Sequence, residues 1–335
     1  MTNPAMAPAR PGELVGPAIA ATDLTKVYGE VTALDGLSFE VPSGTIFGLL
    51  GPNGAGKSTT IKILTTLSRP TSGTATVAGI DVLRRPEAVR RAIGVVTQRA
   101  GTDPQATGRE NLLLAGRIHG MRGSAVKARA EELLDRFGLT EPADRVVRTY
   151  SGGMQRKLDV ALGLMHRPRV LFLDEPTTGL DPQARSEMWA EIARLAGQEQ
   201  LTILLTTHYL EEADHLADRV AIVDNGRIVA SGTAEQLKSE LRGDAVVVEL
   251  GADADIAAGR AALDRLPGTR DVAADGRVIR ARVEHGASAV PAVLAALEAS
   301  GQAALSITVA RPSLDDVYLR HTGRTFAAAE SGATR

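Results

Sequence analysis

A glycine-rich segment followed by a lysine and two hydroxyl residues is the clearest sign of chemistry in this sequence. It reads GLLGPNGAGKST, from Gly48 to Thr59, and fits the spacing G-x-x-x-x-G-K-S. Glycines allow backbone conformations that a Cβ would forbid, so the N–H groups of such a loop can turn inward around a phosphate chain. The sequence therefore predicts a nucleoside triphosphate site made by Gly51, Pro52, Asn53, Gly54, Ala55, Gly56, Lys57, Ser58 and Thr59.

Lys57 and Ser58 have separate tasks in this prediction. The lysine can reach the terminal phosphates, and the serine hydroxyl suits Mg²⁺, which prefers hard oxygen ligands. The next residues, TTIKILTTL, are compatible with a helix. Such a helix would present its positive N-terminal end to the same phosphates.

Two acidic residues follow an apolar run in VLFLDEPTTGLDP, residues 170–182. The run is typical of a strand buried on both faces of a parallel sheet. Asp174, at its end, would hold the hydration shell of Mg²⁺, and Glu175 is the candidate that orients and polarises the attacking water. A second apolar run ends at His208. This histidine has either a structural role or a contact with the γ-phosphate and the water.

Three weaker candidates accompany these residues. Gln98 ends the strand-like run IGVVTQ, where it would either touch a bound Mg²⁺ or lie in solvent. Ser151, Gly152 and Gly153 directly precede a helical run, which makes a second possible anion site from a hydroxyl and free N–H groups. Tyr28 could stack on an adenine ring or pack within a strand.

The chain length predicts two folded units. Residues 1–17 contain four prolines and no apolar core of a signal peptide, so we expect a flexible tail. Residues 18–240 alternate between strands and helices, with a turn at Asp35-Gly36 and an inserted helical subdomain at about 99–165.

From residue 244 to 322 the pattern becomes βαββαβ, with a hairpin turn at Asp275-Gly276 and a last helix capped by Ser313. This order predicts a small ferredoxin-like α+β domain. No chemistry-bearing cluster occurs in it, so dimerisation or docking is expected, with a regulatory ligand site as the alternative. Residues 323–335 are expected to be a second flexible tail.

Composition excludes several classes of function. The 38 basic and 40 acidic residues nearly cancel, so no overall field would hold nucleic acid or an anionic membrane. The sequence contains no cysteine, which excludes disulfides and thiolate metal sites and suits a cytosolic protein. No apolar run approaches the ~20 residues that span a bilayer. If the protein works at a membrane, we expect another chain to supply the membrane-spanning part.

The order of the motifs resembles that of the ATP-binding subunit of an ABC transporter. The A-loop, Walker A, Q-loop, signature, Walker B, D-loop and H-loop of that family are similar to Tyr28, GPNGAGKST, Gln98, YSGGM, LFLDEP, GLDP and His208. Within the family, YSGGM and the ending PSLDDVYLRHTGR resemble the daunorubicin-resistance type of drug-exporter ATPases. The signature has Tyr150 and Met154 where leucine and glutamine are usual.

The resemblance implies an α/β P-loop NTPase with an inserted helical subdomain and an antiparallel β subdomain. It also implies an ATPase of the translocase class that uses ATP and Mg²⁺, with Ser58, Gln98 and Asp174 at the metal. Two copies would pair head to tail, so that Ser151, Gly152, Gly153 and Asp181 of one copy complete the ATP site of the other. Lys57, Glu175 and His208 would be the catalytic residues.

The resemblance further implies a separate transmembrane permease, which would dock on the stretch from Gln98 to about His119 at the cytoplasmic face of the cell membrane. A drug, antibiotic or lipid-like compound would be exported. Export of a polysaccharide or protein, or import, is the alternative within the class. Soluble ABC ATPases of translation or DNA maintenance carry two cassettes or a long coiled coil, and this chain has neither. Sequestration of nucleotide or drug is disfavoured by Glu175 and His208.

Overall fold

The computed structural model describes residues 16–241 and 243–332. The chain divides into two compact units between Ile228 and Val229, ahead of the boundary that the sequence suggested near residue 240. The sequence-based limits 18–240 and 244–322 therefore stay a prediction. All but the last two residues of the predicted tail 1–17 lie outside the described residues.

Strands and helices alternate through most of the first 241 residues, as an α/β fold requires. In chain order they are β1 (Ile19–Tyr28), β2 (Val31–Val41), β3 (Ile46–Leu50), α1 (Lys57–Leu64), β4 (Ser72–Val77), β5 (Ile80–Asp81), α2 (Pro86–Ala92), β6 (Ile93–Val96), α3 (Gly108–Ile118), α4 (Gly123–Arg136), a 3₁₀ turn (Val147–Thr149), α5 (Gly152–Leu164), β7 (Val170–Asp174), α6 (Pro182–Glu199), β8 (Thr202–Thr207), α7 (Leu210–Leu216), β9 (Arg219–Asp224), β10 (Arg227–Gly232) and α8 (Ala234–Ser239).

Six of these strands form a sheet in the order β10-β9-β3-β8-β7-β6. The pairs of β3 with β8 and β9, and of β7 with β6 and β8, are parallel. Strands β3 and β8 are buried along their whole length, as their apolar runs predicted. Because parallel strands end at the same edge of the sheet, the residues that follow β3, β6, β7 and β8 are brought together there.

A second, antiparallel sheet has the order β2-β1-β4-β5. The turn predicted at Asp35-Gly36 is wrong, because β2 runs through both residues. Leu24 pairs with Leu37 and Lys26 pairs with Leu34, so the two residues form a bulge. The chain instead reverses at residues 29 and 30, between β1 and β2. The bulge requires a positive φ at Gly36, 71°, which a glycine adopts readily, so the Asp-Gly pair suits a bulge as well as a turn.

Helices α3, α4 and α5 carry the predicted helical subdomain. Leu112 of α3, Leu133 of α4 and Leu158 of α5 belong to one buried apolar cluster. Helix α3 begins with the capping box of Thr107 and Glu110, in which each side chain accepts a hydrogen bond from the other residue's backbone N–H. Among the described residues, no helix combines the length and apolar character needed to cross a membrane.

The second unit contains the predicted ferredoxin-like arrangement. Its sheet has the order β12-β13-β11-β14 with antiparallel pairs, and helices α9 and α10 connect the strands in a βαββαβ order. The elements of residues 243–332 are β11 (Asp244–Leu250), α9 (Ile256–Asp264), β12 (Thr269–Asp275), β13 (Val278–Val283), α10 (Gly286–Ala299), β14 (Ala304–Ala310), α11 (Leu314–Thr322) and α12 (Phe326–Gly332).

The flexible tail predicted from residue 323 is wrong for its described part, because α12 occupies it. The Phe326 ring is buried and meets the Tyr318 ring edge-on, with ring centroids 5.0 Å apart. Thr325 Oγ1 donates to Asp275 Oδ2 at 2.7 Å, and the backbone N–H of Phe326 donates to Asp315 Oδ1 at 3.0 Å. These tertiary contacts hold a segment that was expected to be a flexible tail.

Candidate active site

The glycine-rich loop connects the buried end of β3 to the first residue of α1. A Cβ at Gly51 would lie 2.4 Å from the carbonyl oxygen of Val223, so only glycine fits there. Gly56 caps α1 with a φ of 109°, and a Cβ on it would lie 2.7 Å from the Ala33 carbonyl oxygen. The two glycines therefore hold the loop in the shape that leads directly into the positive end of the helix.

The Lys57 side chain is buried and lies across this loop. Its Nζ donates to the carbonyl oxygens of Gly51 and Pro52, at 2.6 and 3.1 Å. The same Nζ lies 3.6 Å from Oε1 of Glu175. The lysine is thus the link between the loop and the acidic residues that follow β7.

Asp174, at the end of β7, accepts hydrogen bonds from two hydroxyl groups. Thr206 Oγ1 donates to Asp174 Oδ1 at 2.6 Å, and Ser58 Oγ donates to the same oxygen at 3.3 Å. The structure therefore brings Ser58 and Asp174 together as predicted, and these hard oxygen donors suit Mg²⁺. No cluster of three or more His, Cys, Asp or Glu side chains suited to a metal occurs in residues 16–241 and 243–332.

The Glu175 carboxylate is the centre of the site and is 9% exposed. The Gln98 amide donates to its Oε2 at 3.3 Å, as does the Thr178 hydroxyl at the same distance. Nδ1 of His208 lies 3.2 Å from Oε1, as a close contact rather than a well-aligned hydrogen bond. Four side chains, including Lys57, thus surround one carboxylate.

These neighbours change the acidity of Glu175. The adjacent His208 ring lowers the pKa of the Glu175 carboxyl most, and Lys57 and Thr178 lower it further, while burial acts in the opposite direction. The net shift is downward, so the carboxylate stays ionised well into the acidic range. An ionised carboxylate is the form that can accept a proton from water.

The backbone of Glu175 is strained. Its φ is 50°, in a region that residues with a Cβ rarely adopt, at a cost on the order of 1–3 kcal/mol. The Glu175 N–H bonds both the carbonyl oxygen and Oγ1 of Thr206, each at 3.1 Å. Strain of this kind is common at active sites, where the surrounding structure holds it in place.

Tyr28 stands at the end of β1, with its side chain 46% exposed. Nζ of Lys26 lies 4.6 Å from the centre of its ring, and its hydroxyl lies 3.4 Å from Ser68 Oγ. The structure does not join Tyr28 to the cluster around Glu175. Its open ring face is nevertheless suited to stacking on a flat base.

The Ser151-Gly152-Gly153 segment lies at the start of α5, with Ser151 and Gly152 exposed. Ser151 is the N-cap and accepts a hydrogen bond from the Met154 N–H at 3.2 Å. Tyr150, which replaces the usual leucine, is buried and donates its hydroxyl to the Pro142 carbonyl at 2.7 Å. The departure from the usual motif is therefore accommodated inside the helical subdomain, and the exposed helix end remains open to an anion.

Asp181 is the other residue predicted to serve a second copy. It is exposed and caps α6, accepting a hydrogen bond from the Ala184 N–H at 2.9 Å. Neither Asp181 nor Ser151 contacts Glu175 within the described part of this chain, so the structure leaves both predicted trans residues apart from the first cluster.

Two residues that the sequence motifs did not indicate help to build the site. Thr206 holds both Asp174 and the backbone of Glu175. Arg156 of α5 is buried and donates to backbone carbonyls on either side of Glu175. No local signal marked Arg156, because α5 also carries the charged residues Lys157 and Asp159.

A groove of about 540 Å³ lies beside the site, between β6, α3 and α5. On its wall, Leu114 and Ile118 of α3 are 54% and 74% exposed. The groove is also lined by His119 and His166, whose rings stack in parallel with centroids 3.7 Å apart. The stretch from Gln98 to His119, predicted to dock a partner, therefore contains an exposed apolar surface.

Comparison with known proteins decides the family. Residues 34–178 match the ABC transporter family, and residues 232–322 match the C-terminal domain of DrrA1-3-like ATP-binding proteins. The daunorubicin resistance ATP-binding protein DrrA3 of Streptomyces coeruleorubidus is 47% identical over 306 residues, covering 91% of this chain and 96% of that protein. The chain is an ABC transporter ATP-binding subunit. The ATP-binding subunit is also 40% identical to the Nod factor export ATP-binding protein I of Ralstonia nicotianae, over 94% of this chain and 97% of that protein.

Solved structures agree with the family assignment of the ATP-binding subunit. The dimeric structure of a post-hydrolysis state of an ATP-binding cassette, bound to ADP and Pi, is similar with a TM-score of 0.59 and 26% identity. The match covers 64% of the ATP-binding subunit and 98% of that chain. The predicted P-loop fold and the predicted ATPase activity are thereby confirmed.

Proposed function

We propose that this ATPase powers the export of a drug, antibiotic or lipid-like compound through a separate membrane-spanning permease. The observation that carries the proposal is the match along nearly the whole chain to a daunorubicin resistance ATP-binding protein. The second unit supports it, because residues 232–322 match a C-terminal domain described for such proteins. The ATPase would act at the cytoplasmic face of the cell membrane.

At the nucleotide, the phosphate loop and Lys57 would bind and neutralise the phosphates. Ser58, Asp174 and Gln98 are the residues that would hold Mg²⁺, which supplies charge neutralisation on the phosphate oxygens when bound. Tyr28 would stack on the adenine.

Glu175 would act as the general base of hydrolysis. Its contacts keep it ionised at neutral pH and fix its carboxylate at the carboxyl edge of the sheet, facing Lys57. His208 would orient that carboxylate and contact the γ-phosphate. Phosphoryl transfer to water depends mainly on such positioning and charge stabilisation, and little on covalent chemistry.

Each copy of the chain would provide half of each ATP site. Ser151 and Gly152 are exposed at a helix N-terminus, away from the Glu175 cluster of their own chain. A second copy, placed head to tail, would present this helix end and Asp181 to the γ-phosphate bound at Lys57. Hydrolysis would then remove the charge that joins the two copies, and the dimer would open.

The permease would dock on the groove beside α3. Leu114 and Ile118 form an exposed apolar surface there. Single apolar residues on a protein surface are common, but these two line one groove, which makes the groove a candidate binding site for another protein. The groove borders the segment that carries Gln98, whose amide contacts Glu175. Opening and closing of the ATPase dimer could thus drive alternating access in the permease.

Export of a different compound is the second candidate. The 40% identity to a Nod factor export ATP-binding protein, over nearly the full length of both chains, favours it. The two candidates share the ATPase and the permease, and they differ in the compound that crosses the permease.

Growth of a daunorubicin-susceptible host tests the proposal. The chain is expressed with its permease, and the Glu175→Gln variant with the same permease is the matched control. We expect the parent pair to raise the inhibitory concentration of daunorubicin and the variant pair to leave it at the host level. Equal survival with parent, variant and empty vector would contradict drug export.

A further inference from the structure

Arg156 of α5 is buried among backbone carbonyl groups, with 8% of its side chain exposed. Its Nε donates to the Pro176 carbonyl and its Nη1 to the Thr97 carbonyl, each at 2.7 Å. Its Nη2 donates to the carbonyls of Asp174 and Glu175, each at 3.1 Å. One side chain therefore holds three consecutive residues at the end of β7, residues 174–176, and a fourth residue directly after β6.

We propose that Arg156 is a positioning residue for ATP hydrolysis, which fixes the backbone of residues 174–176 so that the Glu175 carboxylate faces the phosphate loop. The proposal rests on the role of Glu175 proposed above. Glu175 has a φ of 50°, and a backbone of this kind persists only where its surroundings hold it. Thr206 Oγ1 accepts a hydrogen bond from the N–H of Glu175, and Arg156 donates to the carbonyl oxygens of Asp174 and Glu175.

The chemistry of the guanidinium explains why an arginine suits this position. Its planar fork carries five N–H donors, so it can serve four carbonyls in different directions at once. A lysine ammonium offers three donors from a single point and cannot span the same set. Burial lowers the pKa of Arg156, while the charges of Asp159, Asp174 and Glu212 oppose that shift.

The same contacts connect segments that have separate tasks. Thr97 directly precedes Gln98, which borders the proposed permease groove, and α5 begins at the exposed Ser151 cap. A displacement of α5 would therefore be transmitted through Arg156 to the backbone of Glu175. In this way one buried side chain would join the signature helix and the Gln98 segment to the general base.

The test compares Arg156→Met and Arg156→Lys with the matched control Lys157→Met in the full-length chain. Lys157 neighbours Arg156 in sequence, but its Nζ pairs with Glu187 on α6 at 2.7 Å. For each variant, kcat and KM for ATP hydrolysis and the affinity for a fluorescent ATP analogue are measured. We expect the kcat of both Arg156 variants to fall about tenfold or more, with KM and affinity changed less than about threefold. The control should stay near the parent.

A loss of folding alone is distinguishable from a loss of positioning. If Arg156→Met does not fold, Arg156→Lys retains the charge and most of the volume and carries the test. A parental kcat in Arg156→Lys, or a loss of ATP affinity in proportion to the loss of activity, would overturn the proposal. Glu175→Gln is measured in parallel. If that variant hydrolyses ATP like the parent, the role of Glu175 fails; if it is inactive while both Arg156 variants are active, only the positioning role fails.

Discussion

Nδ1 of His208 lies 3.2 Å from Oε1 of Glu175, where β8 and β7 end side by side. The histidine is the largest cause of the lowered pKa of that carboxyl. Two residues 33 positions apart in the sequence therefore form one unit, because parallel neighbouring strands end at the same edge. The acid–base behaviour of this pair leads to the first prediction.

His208→Ala should move the acidic limb of the pH–kcat profile to higher pH. The pKa of Glu175 is lowered in the folded chain, so the carboxylate is ionised above that pKa and protonated as the pH falls through it. Removing the histidine removes the main cause of the lowering, and protonation then begins at a higher pH. A profile of kcat between pH 4 and 8 measures the shift. An unchanged limb would show that another group titrates there.

The same linkage affects stability. The ionised Glu175 carboxylate stabilises the folded chain fully at pH values above 4.5, the ordinary pKa of a glutamate. This contribution to the free energy of unfolding is lost as the pH falls through the lowered pKa. The parent should therefore lose more stability on acidification than His208→Ala does.

Mixing two inactive variants tests whether each ATP site uses two copies of the chain. In a dimer of Ser151→Arg with Lys57→Ala, a head-to-tail arrangement leaves one site with an intact loop and an intact signature. Both defects then lie in the other site. We expect ATP hydrolysis to return on mixing, whereas each variant alone stays inactive. Should the mixture remain as inactive as its components, each chain would be using its own Ser151.

Ile118→Asp tests the groove. The side chain is 74% exposed and distant from the hydrogen bonds around Glu175, so the substitution should leave the ATPase activity of the isolated chain near the parental value. Within the complex, a buried charge would weaken the contact with the permease. Co-purification of the two chains is the measurement, with Leu83→Asp, at another exposed apolar position, as the control. Equal recovery of the permease with both variants would place the contact elsewhere.

His166 predicts a second pH effect, on stability. Burial lowers the pKa of this histidine to about 4, from an ordinary value of 6.5. As the pH falls below 6.5, the unfolded chain takes up a proton that the folded chain does not, so stability decreases until about pH 4. Urea unfolding of the parent and His166→Gln at pH 7 and pH 5 measures this. The variant should lose less stability between those pH values, and an equal loss would exclude His166 as the cause.

The sequence predicted much of this site because its motifs end on strands of one parallel sheet. Lys57, Ser58, Asp174, Glu175 and His208 meet as expected, since each follows an apolar run whose burial is readable from composition. The helix cap at Ser313 was likewise a local signal. In each case the residues that predict the strand end or the helix cap lie within a few positions of it in the sequence.

What the sequence missed depends on contacts between distant segments. Thr206 and Arg156 bond groups that lie 18 or more residues away, and no local pattern marks such partners. At Asp35-Gly36, a good turn signal gave a bulge, because the strand continues on both sides. Helix α12 was missed because its order depends on the burial of Phe326 against Tyr318.

Glu175→Gln tests the central claim most directly. The substitution removes the base but keeps the volume of the side chain and an oxygen that can accept the hydrogen bonds from Gln98 and Thr178. The measurement pairs single-turnover ATP hydrolysis with sizing of the ATP-bound chain. We expect ATP to bind with near-parental affinity, turnover to fall about a hundredfold or more, and a closed dimer to accumulate. Hydrolysis at the parental rate, without accumulation of a dimer, would contradict the account.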